Sequence, residues 1–324
     1  MRTARYWQAT GITMLGLMLL SLAASLPARA AFPDRALRIV VGFAPGGSTD
    51  IIARLVADGL STRLGQPVVV ENRGGAGGVL AAQLVAQQPA DGYTLMLHTD
   101  GLNQAAAVGT AMVFDPVDAF APVGLAAKSS LVLVVHPSIP AQNLNEFLAY
   151  ARKSPHPLRF GSPGSGLSGQ LFAQGLGIPI EEVRYRGTSA VLNDLLAARI
   201  DAYTIAFPGI LSYVQAGALR ALAIASAERS RVMPDLPTGP EQGFPEVIAT
   251  GWFGIVVKAG TPPEVIAKLH RALNETLDDA VVRRRIGEIG LDIAPSAKPE
   301  DFGQLIRDDR VVWERVATRG NLRQ

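Results

Sequence analysis

The chain has 324 residues, 48% hydrophobic and 18% charged, with 30 basic against 28 acidic side chains and no cysteine. Without cysteine there is no disulfide, iron–sulfur cluster, thiolate zinc site or cysteine nucleophile. The near balance of charge offers no basic face for nucleic acid or for an anionic membrane.

Residues 1–30 have the pattern of an export leader. Arg2 and Arg5 form a basic start, 11–26 is an uncharged apolar run, and Ala28-Arg29-Ala30 makes an A-x-A cleavage site before Ala31. The run is shorter than the roughly 20 residues of a membrane span, and no cysteine is present to carry a lipid. The leader therefore predicts a protein released into a periplasm-like compartment. Removing it leaves 27 basic and 28 acidic residues in a mature chain of 294. That length is more than a single core usually holds and predicts two lobes of roughly 100 to 200 residues.

Short β-branched runs alternate with helical patterns from there on. Strands are predicted at 38–43, 68–71, 94–98, 131–136, 159–161, 182–185, 202–206, 221–225 and 253–258. Helices are predicted at 79–87, 143–153, 189–198 and 263–278, among others. Such alternation predicts an α/β protein of parallel sheets with helices on both faces, and ligands bound beyond the carboxyl ends of the strands.

The first glycine-rich corner is the most informative. An apolar run ending at Phe43 is followed by Pro45-Gly46-Gly47-Ser48-Thr49-Asp50. A helical stripe of Ile52, Leu55, Val56, Leu60 and Leu64 comes next. The glycines allow close backbone approach, and Ser48, Thr49 or Asp50 can cap the helix. The corner aims free amides at the positive end of a helix dipole into a crevice, which suits an anion; an ordinary capped helix is the alternative. Residues 72–78, NRGGAGG, form another flexible corner, either a structural turn or part of the crevice mouth. Thr99, Asp100 and Asn103 follow a strand and so occupy a site-facing position.

GSPGSGLSG, residues 161–169, is the second such corner, with Ser162, Ser165 and Ser168 as hydroxyl donors beside Gly164 and Gly166. Gly164, Gly166 and Gly169 match G-x-G-x-x-G. Glu181 and Glu182, however, come well before the roughly 20-residue offset of a ribose-binding acid. No serine sits in G-x-S-x-G, and S-x-x-K and Walker-type signatures are absent from the sequence. In VRYRGTSA, residues 183–190, Tyr185 presents a hydroxyl, while Gly187, Thr188 and Ser189 lead into a helix. Arg184 is either solvent-facing or an added cation near the ligand. Asp201 either orients a donor in the pocket or ties down a turn. The four histidines, at 98, 136, 156 and 270, lack metal-ligand spacing and are expected at the surface or satisfied at strand ends. Arg283, Arg284 and Arg285 are expected on a solvated helix face.

RIVVGFAPGGSTDIIARLVADGLSTRLGQPVVVENRGGAGG resembles the opening of the tripartite tricarboxylate transporter substrate-binding proteins, the TctC or Bug family. The likeness continues through ADGYTLML, FDPVDAFAPVGLAA, LVLVVHPSIPA, LRFGSPGSGLSG, VRYRGTSAVLNDLLAARIDA, GALRALAIASAERS, DLPTGPEQGFP and GWFGIVVKAGTPPEVIAKL, in the family's order. The family usually has proline where this chain has Arg184 and where it has Gly75, which leaves local loop shape open. The resemblance implies a two-lobed periplasmic binding protein of type II-like fold, its ligand cleft between two doubly wound sheets. It implies lobes at 31–130 plus 252–324 and at 131–251, with 131–136 and 252–258 as the crossings. Trp252, on a crossing, packs either at the hinge or, as a lone aromatic, in the core. It implies a monomeric receptor, not an enzyme, that captures a small carboxylate and delivers it to membrane transporter subunits, with no cofactor or metal; the alternative is a ligand-sensing subunit for a membrane signalling partner, or a hydrolase. The expected ligand-binding residues are Gly46, Gly47, Ser48, Asp50, Thr99, Ser162, Gly164, Ser165, Tyr185, Gly187, Ser189 and Asp201.

Overall fold

The computed structural model describes residues 32–162, 165–185 and 188–322. The expected leader, Gly164 and Gly187 lie outside them. The elements that follow belong to the compact unit Arg35–Gln324. In chain order they are β1 (Leu37–Val41), α1 (Ser48–Leu64), β2 (Val68–Asn72), α2 (Val79–Ala86), β3 (Thr94–Thr99), α3 (Gly101–Ala107) and the long β4 (Phe120–Val135). Next come α4 (Leu144–Lys153), β5 (Leu158–Ser162), α5 (Leu167–Leu176), β6 (Ile180–Arg184), α6 (Thr188–Leu196), β7 (Ala202–Ala206), α7 (Leu211–Gln215) and β8 (Arg220–Ile224). The chain closes with β9 (Thr250–Lys258), α8 (Pro263–Leu277), α9 (Ala280–Glu288), β10 (Asp292–Ile293) and α10 (Pro299–Arg319).

Two sheets form, and β4 belongs to both. In the first, β1 lies parallel between β2 and β3, and β9 runs antiparallel between β3 and β4. In the second, β5 lies parallel between β6 and β7, while β4 pairs antiparallel with β7 and β8. The partners of β4 change between Ser130, which faces Thr250 of β9, and Leu131, which faces Ala206 of β7. The sheets are therefore mixed, where the sequence predicts parallel ones. Within the first lobe β1, β2 and β3 share one direction, and within the second β5, β6, β7 and β8 do. β9, on which the chain re-enters the first sheet, opposes the first set, and β4, on which it leaves, opposes the second.

Leu131–Val135 sits in the second lobe with helices on both faces, so its residues alternate between two cores. Leu133 and Val135 join Phe147, Phe160 and Phe172 on one side. Val132 and Val134 join Val191, Tyr203 and Phe207 on the other. The first lobe packs Val40, Met96, Trp252, Phe302 and Ile306.

α10 serves both lobes. At about 1.5 Å per residue its 21 residues reach roughly 30 Å. Phe302 and Ile306, near its start, fill the first core, whereas Trp313, Val316 and Ala317 fill the second. Its far end is fastened there by Gln174 Nε2 donating to the Val316 carbonyl (2.9 Å) and by an Arg319–Glu246 ion pair (2.8 Å). Midway, the apolar stripe is broken by the buried Asp309, whose carboxyl accepts from Trp313 Nε1 (2.9 Å) and Asn103 Nδ2 (2.7 Å). Burial, and then the nearby charge of Asp100, raise the Asp309 carboxyl above the ordinary carboxylate range.

Trp252, open between hinge and core in the sequence, is fully buried in the first-lobe core between His98 (ring centroids 5.0 Å apart) and Phe302 (5.4 Å). His98 departs from the expected surface or satisfied histidine: it is fully buried, and burial holds its ring neutral, down to about 4. In the strand beside it, Gly254 faces the flat of Phe302, and a methyl group there would run into the ring. Gly254→Ala should destabilise the protein by about 1–3 kcal/mol through overpacking. Denaturant melts should show the lower midpoint with an unchanged slope; an unchanged midpoint would mean the ring yields freely.

Candidate functional site

The first glycine corner joins β1 to α1. Gly46 takes φ +88°, open to glycine at no cost, and the chain turns there into the helix. The expected side-chain cap is absent: Gly47 is the N-cap residue, and Ser48, Thr49 and Asp50 fill the first turn. Their amides have no acceptor within the helix. Asp50 turns its carboxylate back into the loop, accepting from Gly46 N–H (3.0 Å), Arg54 Nε (2.9 Å) and Nη2 (3.0 Å), and Asn72 Nδ2 (3.0 Å). Asn72 also donates to the Phe43 carbonyl (3.1 Å). The Arg54 hydrogen bond, foremost, holds the Asp50 carboxyl down to about 2 against the opposing effect of burial. Asp50 therefore ties the loop together and has no free oxygen for a ligand, which corrects its assignment as a contact residue.

A cavity of about 670 Å³ opens between this corner and the second lobe. Gly46, Gly47, Ser48 and Ile51 face Thr188 at the start of α6, Ile205 near the end of β7, Leu211 beyond it, and Glu288 at the end of α9. A second cavity, of about 360 Å³, adjoins the same loops: Phe43, Gly77, Gly101, Gln104, Ser165 and Arg184 line it. Ser165 Oγ donates to Gln104 Oε1 (3.1 Å), and Gln104 Nε2 donates to Asp100 Oδ2 (2.8 Å), so a polar chain crosses from one lobe to the other.

The remaining expected residues divide. Gly46, Gly47, Ser48 and Ser165 line cavities. Ser162 ends β5 buried, its carbonyl accepting Tyr185 N–H (2.8 Å). Ser189 lies exposed in the first turn of α6. The Tyr185 hydroxyl donates to Asp194 Oδ2 on α6 (2.8 Å), and burial with that partner pushes the phenol up to about 12. Thr99 is buried and accepts Gly101 N–H (3.3 Å), bracing the start of α3 instead of facing the cleft. Asp201 is corrected too. It precedes β7, at the end of the strand away from the cavities, and accepts from the Arg159 backbone (2.7 Å) and guanidinium (3.3 Å). Of the two open readings, tying down a turn holds.

Gln104, Leu211 and Glu288 were not anticipated. Gln104 stands four residues after Asp100, the spacing of neighbours on a helix face. Leu211 follows the carboxyl end of β7, where strand-end reasoning applies equally well. Glu288 comes from a distant helix and has no local signal. Arg283 and Arg284 pair with Asp278 (2.7 Å) and Glu288 (3.5 Å) on an exposed face, as expected.

Residues 52–322 match the model of the tripartite tricarboxylate transporter family receptor, and the chain belongs to that family of two-lobed solute receptors. Protein BugT of Bordetella pertussis is 35% identical over 314 residues, which cover 94% of this chain and 95% of that protein. Among solved structures, MatC from Rhodopseudomonas palustris with bound malate is 32% identical, with a TM-score of 0.76 over 88% of this chain and 99% of that one. R. palustris Rpa4515 with adipate is 33% identical, with a TM-score of 0.78 over 89% and 97%.

Asp50→Asn should loosen the corner and cost about 1–3 kcal/mol, the range for breaking a buried charge-assisted hydrogen bond. A depressed carboxyl adds stability that is present above its ordinary value of 3.8 and lost as pH falls through about 2. The difference between wild type and variant in chemical melts should therefore shrink from pH 5 to pH 2. A constant difference would show that the charge is not what the loop depends on.

Proposed function

We propose that the protein is an extracytoplasmic receptor that closes two lobes on a small carboxylate and passes it to a membrane transporter. The observation that carries this reading is the larger cavity. The open amides at the start of α1 face the start of α6 across it, and apolar Ile51, Ile205 and Leu211 stand between. A carboxylate end fits the amides and an apolar body fits the walls. The malate- and adipate-bound relatives support the same ligand class. Micromolar binding needs about 8 kcal/mol. Two helix starts contribute on the order of 1 kcal/mol each through their dipoles. The rest must come from hydrogen bonds and apolar contact that strengthen as closure excludes water.

In this reading the lobes are 31–130 plus 252–324 and 131–251, with α10 shared between their cores. Closure bends the chain where β4 changes partners and just before β9. The role is non-catalytic, the receptor works as a monomer, and its leader is cut before Ala31. Calorimetric titration with straight-chain mono- and dicarboxylates should find a saturable ligand, and small-angle scattering should show the protein contracting with it. No heat from any acid, together with an unchanged radius, would refute the receptor reading. Intact-mass measurement of the protein recovered from the periplasm should begin at Ala31; a chain retaining residues 1–30 would refute export by cleavage.

A further inference from the structure

We propose that Arg184 reads a second anionic group on the ligand, so that the receptor selects acids with two charged ends. The inference rests on the carboxylate reading above and adds the residue that sets specificity. Arg184 is the last residue of β6, beside the end of β5, where Ser162 is its register partner. Two loops, one from each lobe, border both cavities. The first gives Phe43 to the smaller and Gly46 to Ser48 to the larger, and the second gives Arg184 to the smaller and Thr188 to the larger. The proposal therefore places one carboxylate between Ser48 and Thr188 and the far end of the ligand at Arg184.

The charges of the two cavities point the same way. Among the described residues, Arg184 is the one charged side chain lining the smaller cavity, with Gln104, Thr110 and Ser165 as its neutral polar neighbours. Among the described residues, the charged side chain lining the larger cavity is Glu288, already paired with Arg284 (3.5 Å), which offers a second carboxylate no cation there. Arg184 is not locked in place. Its side chain is 62% exposed and its one ion-pair partner among the described residues is Glu182, through Nε at 3.3 Å. That contact leaves Glu182 Oε1 without a well-formed hydrogen bond. The two Nη groups remain as a fork matched to a carboxylate, sulfonate or phosphonate.

Adipate, hexanoate and 6-aminohexanoate have the same length and differ only at the far end. They are titrated calorimetrically into the wild-type protein and into the Arg184→Gln and Arg184→Glu variants, each checked for an unchanged circular dichroism spectrum. Wild type should prefer adipate over hexanoate. Arg184→Gln should cut that preference about tenfold, and Arg184→Glu should move it towards 6-aminohexanoate. An adipate-to-hexanoate ratio equal in all three proteins overturns the role of Arg184 and leaves the carboxylate reading standing. Failure of wild type to bind any of the three, or any longer or shorter member of each series, overturns both.

Discussion

The pairing of β4 with two different sets of strands is the constraint on which the rest of the molecule depends. A chain that visits two lobes must carry its backbone donors and acceptors across the junction, and buried groups left unpaired there would be costly. One 16-residue strand solves this, bonding to β9 as far as Ser130 and to β7 and β8 from Leu131. Because β4 pairs along its whole length, the two sheets share a strand. The glycine corners of both lobes then border common cavities.

Within those corners the polar side chains mostly serve the loops themselves. Asp50 holds Gly46, Arg54 and Asn72 together; Tyr185 is tied to Asp194; Thr99 braces Gly101. What the first corner leaves facing the larger cavity is backbone, the Ser48 hydroxyl and apolar Ile51, while the Glu288 carboxylate at the cavity edge is paired with Arg284. An anion site benefits from this arrangement. A free carboxylate beside it would repel the ligand, and Asp50 is tolerated there because Arg54 compensates its charge.

α10 adds a third link beside the two crossing strands. Its two ends are buried in different cores, so the lobes are not tied through β4 and β9 alone. Asp309 lies where the helix passes from one core to the other, joined to Asn103 of α3. A hydrogen-bonded polar contact is directional, whereas apolar packing can slide. Asp309 and Trp313 thus set the register of the helix against the first lobe.

Local periodicity and turn chemistry determined a good deal from the sequence alone. The helix beginning at Pro263, the strand Ala202–Ala206 and the glycine corner before α1 follow from residues within a few positions of one another. The family likeness, carried by ordered strings, extended that to a two-lobed receptor. Strand direction was out of reach, since an apolar run such as 253–258 has the same pattern in parallel and antiparallel pairing. So were the jobs of Asp50, Tyr185 and Asp201, because polar type tells what a side chain can bond but not which partner comes within 3 Å. Gln104 meeting Ser165 and Glu288 reaching the cavity edge depend on segments 61 and more residues apart. Only the tertiary structure decided them, because distance in space between such segments is set by how both sheets pack and by no property of the residues themselves.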